Sequence, residues 1–145
     1  MKKTFESMTE KATFEYARAM GKKAKAGDVI ALTGEMGAGK TVFAKGFADG
    51  LGISETVSSP TFTLVQLYDD GRLPLYHFDV YRIADESEMD ETGFEDYISG
   101  EGITLVEWAD RIQDMMPDNT IWIRMYKDPE VDMDYRRLEI EDTVD

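Results

Sequence analysis

The 145 residues, 42% of them hydrophobic and 32% charged, suit one globular domain with a core of its own, and no apolar run approaches the about 20 residues of a membrane span. Cysteine is absent and His77 is the single histidine, which excludes disulfides, thiolate metal sites and a zinc centre. The net charge of -14, from 30 acidic and 16 basic residues, repels a phosphate backbone; little direct nucleic-acid binding is expected, and the charge serves either solubility or docking on a basic partner.

Met1-Lys2-Lys3-Thr4-Phe5-Glu6 has no apolar stretch after its lysines, so it does not read as a secretory signal, and a cytoplasmic location is expected. An amphipathic helix is predicted over 8–25, opened by Met8 or Thr9, with Lys22, Lys23 and Lys25 suiting its C-terminal end. Gly27-Asp28 breaks it, and Val29-Ile30-Ala31-Leu32 predicts a strand near 29–33. Gly34 to Thr41, reading G-E-M-G-A-G-K-T, fits the phosphate-loop pattern G-x-x-x-x-G-K-[ST]. Val42 to Leu51 continues with apolar residues at helical spacing, and Gly50 and Gly52 supply a stop.

A polar connection over 53–60 ends in Ser58-Ser59-Pro60. Strands are predicted near 61–68 and 74–81, joined by the hairpin turn Asp69-Asp70-Gly71-Arg72, so part of the sheet is antiparallel. Residues 86–98 alternate acidic and apolar types at roughly helical spacing around Gly93, and 103–107 make a short, mostly apolar strand. A helix over 109–116 stops before Pro117; strands near 120–126 and 135–140 follow, with an acidic loop over 127–134 between them. The expected fold is α/β: a single P-loop NTPase domain over 1–145, with a mixed, partly antiparallel central sheet flanked by helices.

The phosphate loop carries the chemistry. Gly34, Gly37 and Gly39 let the backbone turn tightly and bring N–H groups toward phosphate oxygens, along Glu35, Met36, Gly37, Ala38 and Gly39 and into Val42. The following helix adds its unpaired first-turn donors and the positive end of its dipole. Lys40 is placed to reach the β- and γ-phosphates, and the Thr41 hydroxyl to hold Mg²⁺.

Such a loop needs a carboxylate at the end of a neighbouring strand. Glu107 ends the apolar strand 103–106, as a Walker B carboxylate would, and Trp108 follows it. Strand alternation in His77-Phe78-Asp79-Val80-Tyr81-Arg82 puts Tyr76, Phe78 and Val80 on a core face and His77, Asp79 and Tyr81 on a polar one. Asp79 can position the attacking water or a water bound to Mg²⁺. His77 reads first as a structural histidine, and Arg82 either faces γ-phosphate charge or pairs with an acidic neighbour. Ser59 and Thr61, around Pro60, carry hydroxyls suited to Mg²⁺ or phosphate; a capped turn entering a strand is the plainer reading.

Taken in order, G-E-M-G-A-G-K-T, S-P-T-F-T-L-V, H-F-D-V-Y-R and L-V-E-W resemble the TsaE (YjeE) family over about residues 7 to 140. The resemblance implies a small Mg²⁺-dependent ATPase, hydrolysing ATP to ADP and phosphate in the biosynthesis of threonylcarbamoyladenosine at adenosine 37 of tRNA. It implies TsaD and TsaB as partners that perform the transfer, switch behaviour for the S-P-T-F and H-x-D-x-Y-R segments, and Mg²⁺ at Thr41 and Glu107. Activity would depend on Lys40, Asp79, Glu107 and Trp108. Arg136, near the start of the last strand, would help bind nucleotide, with Glu10 or Thr9 near the base. A small-molecule kinase is the rival enzyme, but Arg136-Arg137 is the only adjacent arginine pair and falls in a predicted strand rather than a helical lid. A GTPase is disfavoured because the single asparagine, Asn119, is followed by Thr120 and not by the lysine of N-K-x-D.

Overall fold

In a computed structural model, residues 2–35, 37–58 and 64–142 are described; Met36, Ser59 and Thr61 lie outside them. Seven strands form one sheet in the order β1-β7-β6-β2-β5-β4-β3: β1 (Lys2–Ser7), β2 (Val29–Gly34), β3 (Val65–Tyr68), β4 (Leu75–Asp79), β5 (Ile103–Glu107), β6 (Ile121–Lys127) and β7 (Arg136–Glu141). The centre is parallel, with β2 between β5 and β6 and β4 beside β5. Both margins are antiparallel: β3 on β4, and β7 between β6 and β1. The expected mixed sheet is therefore present, with parallel pairing confined to the strands around the phosphate loop.

β2 reads as an unbroken apolar run because both its faces are covered. Ile30 and Leu32 join Leu75, Leu105 and Ile123 under the two long helices, α1 (Glu10–Lys23) and α2 (Lys40–Gly50). Ala31 looks the other way, into a second core with Phe78, Val106, Phe94, Met89 and Ile112. That second layer consists of the 3₁₀ segment Glu86–Thr92, the short helix α3 (Phe94–Ile98) and the 3₁₀ segment Ala109–Met115. Helical spacing interrupted at Gly93 was read over 86–98, and a helix over 109–116. Gly93, at φ 77°, splits the first stretch and Ile112, at φ -128°, kinks the second, so neither becomes one α-helix.

Two expectations are corrected. β1 was not foreseen, because K-K-T-F-E-S offers a single large apolar residue; its ladder with β7 and the stacking of Phe5 on Tyr16 at 4.1 Å hold it as a charged edge strand. The alternate row of β4 is not a polar surface either. His77 and Asp79 are as buried as Phe78, because the α1–α2 layer covers their face.

α1 and α2 touch backbone to backbone. A Cβ on Gly46 would lie 2.3 Å from the Phe14 carbonyl oxygen, and one on Gly50 2.2 Å from that of Arg18. Neither carbonyl can rotate away as a side chain would. Gly46→Ala should therefore cost about 1–3 kcal/mol through forced separation of the helices, read as a lowered Tm in thermal unfolding.

Candidate functional site

The phosphate loop leaves β2 at Gly34 and enters α2 after Gly39. Gly34 sits at φ 146° with a virtual Cβ 2.5 Å from the Met125 carbonyl oxygen on β6, so any side chain there would collide with the neighbouring strand. Gly39 takes φ 100° at the N-cap of α2, and no side chain caps that end. The first-turn N–H groups of α2 are thus left facing the loop, the arrangement that receives anions.

A cleft of about 360 Å³ opens over this turn at the C-terminal ends of the parallel strands. Gly37, Gly39, Lys40, Thr41 and Val42 form one wall, and Asp79, Glu107 and Trp108 form the other. Glu10, Thr13, Asp134 and Arg136 complete the lining. Of the residues expected there, the Ala38 side chain is instead buried in the core and the exposed Glu35 borders a neighbouring cleft; these two can offer only backbone to the first cleft. Thr13 and Asp134 were missed. Thr13 lies one helical turn beyond Glu10, a spacing that could have shown it; Asp134, in an acidic loop, carries no such signal.

Parallel pairing of β4 with β5 sets Asp79 directly opposite Glu107. Both carboxylates are about 3% exposed. An Asp79 oxygen accepts from the Tyr81 N–H at 2.9 Å, while the Asp79 N–H donates to the Leu64 carbonyl at 2.9 Å. Leu64 sits at φ 67°, a left-handed conformation rare for leucine, one residue after the stretch 59–63. Glu107 Oε2 lies 2.6 Å from His77 Nε2. Trp108 also turns left-handed, at φ 62°, directly after the strand. Its N–H donates to the Leu32 carbonyl, and its ring lies 4.7 Å from that of Tyr81.

Lys40 lies back on its own loop. Nζ donates to the Gly34 carbonyl at 2.6 Å and to that of Glu35 at 3.0 Å, and stands 4.1 Å from the centroid of the Trp108 ring. Burial holds its ammonium below the ordinary 10.5, while Glu107, Asp79, Asp110 and Glu35 pull it back up. An ammonium lowered in this way binds its proton less tightly in the fold than in the unfolded chain. Its charge therefore costs stability at neutral pH, and that cost fades as pH rises through the folded value toward 10.5. An anionic phosphate favours the charged form. Affinity for ATP should accordingly fall on the alkaline side at a lower pH than an exposed lysine would give. Binding titrations from neutral to alkaline pH check this, and Lys40→Arg, which stays charged, should flatten the fall.

Arg136 opens β7 and reaches across to the loop, donating to the Gly37 carbonyl at 3.1 Å and to those of Met133 and Tyr135 at 3.0 and 2.7 Å. It and Arg137 both lie in this strand, not in a lid helix. For a metal, the strand-end carboxylates Asp79 and Glu107 and the Thr41 hydroxyl are the candidate donors in the cleft. Among the described residues no three His, Cys, Asp or Glu side chains converge on one point. Hard oxygen donors in such a partial set suit Mg²⁺, which completes its shell with water and substrate phosphates. No helix among the described residues is long and apolar enough to cross a membrane.

The chain is similar to known proteins along most of its length. The model of the family described as "Threonylcarbamoyl adenosine biosynthesis protein TsaE" matches residues 7–137. A Bacillus subtilis protein named tRNA threonylcarbamoyladenosine biosynthesis protein TsaE is 55% identical over 100 residues, covering 69% of this chain but 62% of its own. A Treponema pallidum protein of the same name is 40% identical over 119 residues, covering 82% of this chain and 87% of its own. The alignment thus spans under two thirds of the first relative's length and most of the second's. The crystal structure of Bacillus subtilis YdiB superposes with a TM-score of 0.82 at 37% identity, covering 97% of this chain and 84% of that one. With that profile spanning residues 7–137, and a fold shared along nearly its whole length, this chain belongs to the TsaE family.

Proposed function

We propose that this chain is a Mg²⁺-dependent ATPase that supports threonylcarbamoyladenosine formation on tRNA, acting with TsaD and TsaB. The observation that carries the reading is the convergence of Lys40, Thr41, Asp79 and Glu107 on one cleft above an uncapped helix N-terminus. The loop N–H groups and α2 cradle the phosphates, and Lys40 exchanges the Gly34 and Glu35 carbonyls for β- and γ-phosphate oxygens. Thr41 and Glu107 hold Mg²⁺, which when bound neutralises charge on those oxygens. Asp79 orients a water. Arg136, whose guanidinium lies against the Gly37 carbonyl, and Glu10 also line the cleft and are assigned to nucleotide binding. Because the Asp79 N–H donates to the Leu64 carbonyl, a shift of Leu64 would be felt at Asp79, which suits a switch that senses the γ-phosphate.

The relatives' names place them in the same tRNA modification, and the -14 charge of this chain suits docking on a basic protein face rather than on tRNA itself. The pure chain, given ATP and Mg²⁺ with and without a panel of small acceptors, tests the enzymatic reading. Phosphate release without acceptor is expected; ADP formed only with an acceptor would make the chain a kinase, and no turnover alone or with TsaB and TsaD a binding module. Capture of TsaD and TsaB on the immobilised chain, with and without ATP, tests the partners. tRNA should compete with this chain for a basic face of that complex, and simultaneous binding would overturn a shared docking face.

A further inference from the structure

From the contact between the single histidine and the strand-end glutamate, we propose that His77 is a positioning residue for Glu107: it donates a hydrogen bond that fixes one carboxylate oxygen and leaves the other to the cleft. This rests on the reading of Glu107 as the Mg²⁺ carboxylate given above. His77 and Leu105 are register partners on β4 and β5, which brings the imidazole diagonally onto Glu107. Nε2 and Oε2 are 2.6 Å apart, and the two side chains are 1% and 4% exposed. An N···O contact that short between buried groups requires a proton between them. His77 Nδ1 is buried with no hydrogen-bond partner among the described residues, so no acceptor holds the proton on that nitrogen, and the tautomer that donates from Nε2 is assigned.

A glutamate has three rotatable bonds, and one that must meet a metal benefits from having them arrested beforehand. Three features arrest Glu107. Its main chain is tied at the strand end by the Val80 N–H, 3.2 Å from its carbonyl. Its Oε2 is held by His77, and its side chain is almost wholly buried. His77 and Asp79 share one face of one strand, so β4 sets both the orientation of Glu107 and the position of Asp79.

His77→Phe keeps the ring volume and removes the donor; His77→Gln keeps an N–H donor at comparable reach. Nucleotide affinity, read by the fluorescence of Trp108 and Trp122 together, is measured in EDTA and across a Mg²⁺ titration, together with kcat and KM. For His77→Phe we expect affinity in EDTA within about twofold of wild type. The Mg²⁺ concentration for half-maximal response should rise about tenfold or more, the loss in turnover should fall on kcat rather than KM, and His77→Gln should recover most of both. If His77→Phe does not fold, His77→Asn, whose amide is too short to reach Glu107, carries the same expectation. An unchanged Mg²⁺ response in the folded donor-less variant overturns the proposal, as does equal loss of affinity in EDTA, or a glutamine variant as poor as phenylalanine. A wild-type chain that shows no Mg²⁺ effect at all would instead overturn the assignment of Glu107.

Discussion

Glu107→Gln is expected to lower Mg²⁺-dependent ATP hydrolysis about a hundredfold, with nucleotide affinity in EDTA within a few-fold of wild type. β4–β5 pairing faces Glu107 with Asp79, and both line the cleft with Thr41 at the start of α2. Glutamine keeps the volume and an acceptor for His77, so the buried contact survives while the charge that would hold the metal is lost. Alanine would be a less clean probe. It would leave the His77 Nε2–H buried without an acceptor, at about 1–3 kcal/mol of stability, and mix a folding defect into the kinetics. Single-turnover hydrolysis beside a nucleotide titration separates the two quantities. A glutamine variant that hydrolysed ATP at the wild-type rate would remove Glu107 from the metal site.

Lys40→Met should weaken ATP binding by about 10- to 150-fold, corresponding to the about 1.5–3 kcal/mol of hydrogen bonds to a charged group. Methionine keeps the apolar stem beneath the Trp108 ring and deletes the ammonium and its donors. Thermal stability of the free protein should hold or rise slightly, since a buried ammonium held below its ordinary value costs folding energy at neutral pH. Calorimetric titration with ATP and a melting curve on the same sample test both halves. Weak binding together with a collapsed melting temperature would mean that Lys40 braces the loop through the Gly34 and Glu35 carbonyls instead of reading phosphate.

The residues lining the cleft were unequally legible in the sequence. Gly34, Gly39, Lys40 and Thr41 could be read directly, because a phosphate loop is a local structure whose backbone conformation is dictated by the residues it contains. Arg136 could be placed only through the family pattern, and the structure sets it on β7 with its guanidinium against Gly37. β1 escaped because an edge strand needs little apolar surface of its own, only the open ladder of β7. His77 read as a structural residue, since alternation tells which face a side chain takes but not what lies across the sheet.

Composition and local pattern alone determined an acidic α/β chain, a phosphate loop between strand and helix, a hairpin after it, and a strand ending in glutamate. The tertiary structure decided which strands are neighbours, and with them the facing of Asp79 and Glu107, the hold of His77 on that glutamate 30 residues away, and the burial of Lys40 beneath Trp108. Periodicity and turn chemistry act over a few residues, whereas parallel strand order depends on how the helices pack across the sheet. Here that packing depends on the backbone contact of α1 with α2 at Gly46 and Gly50.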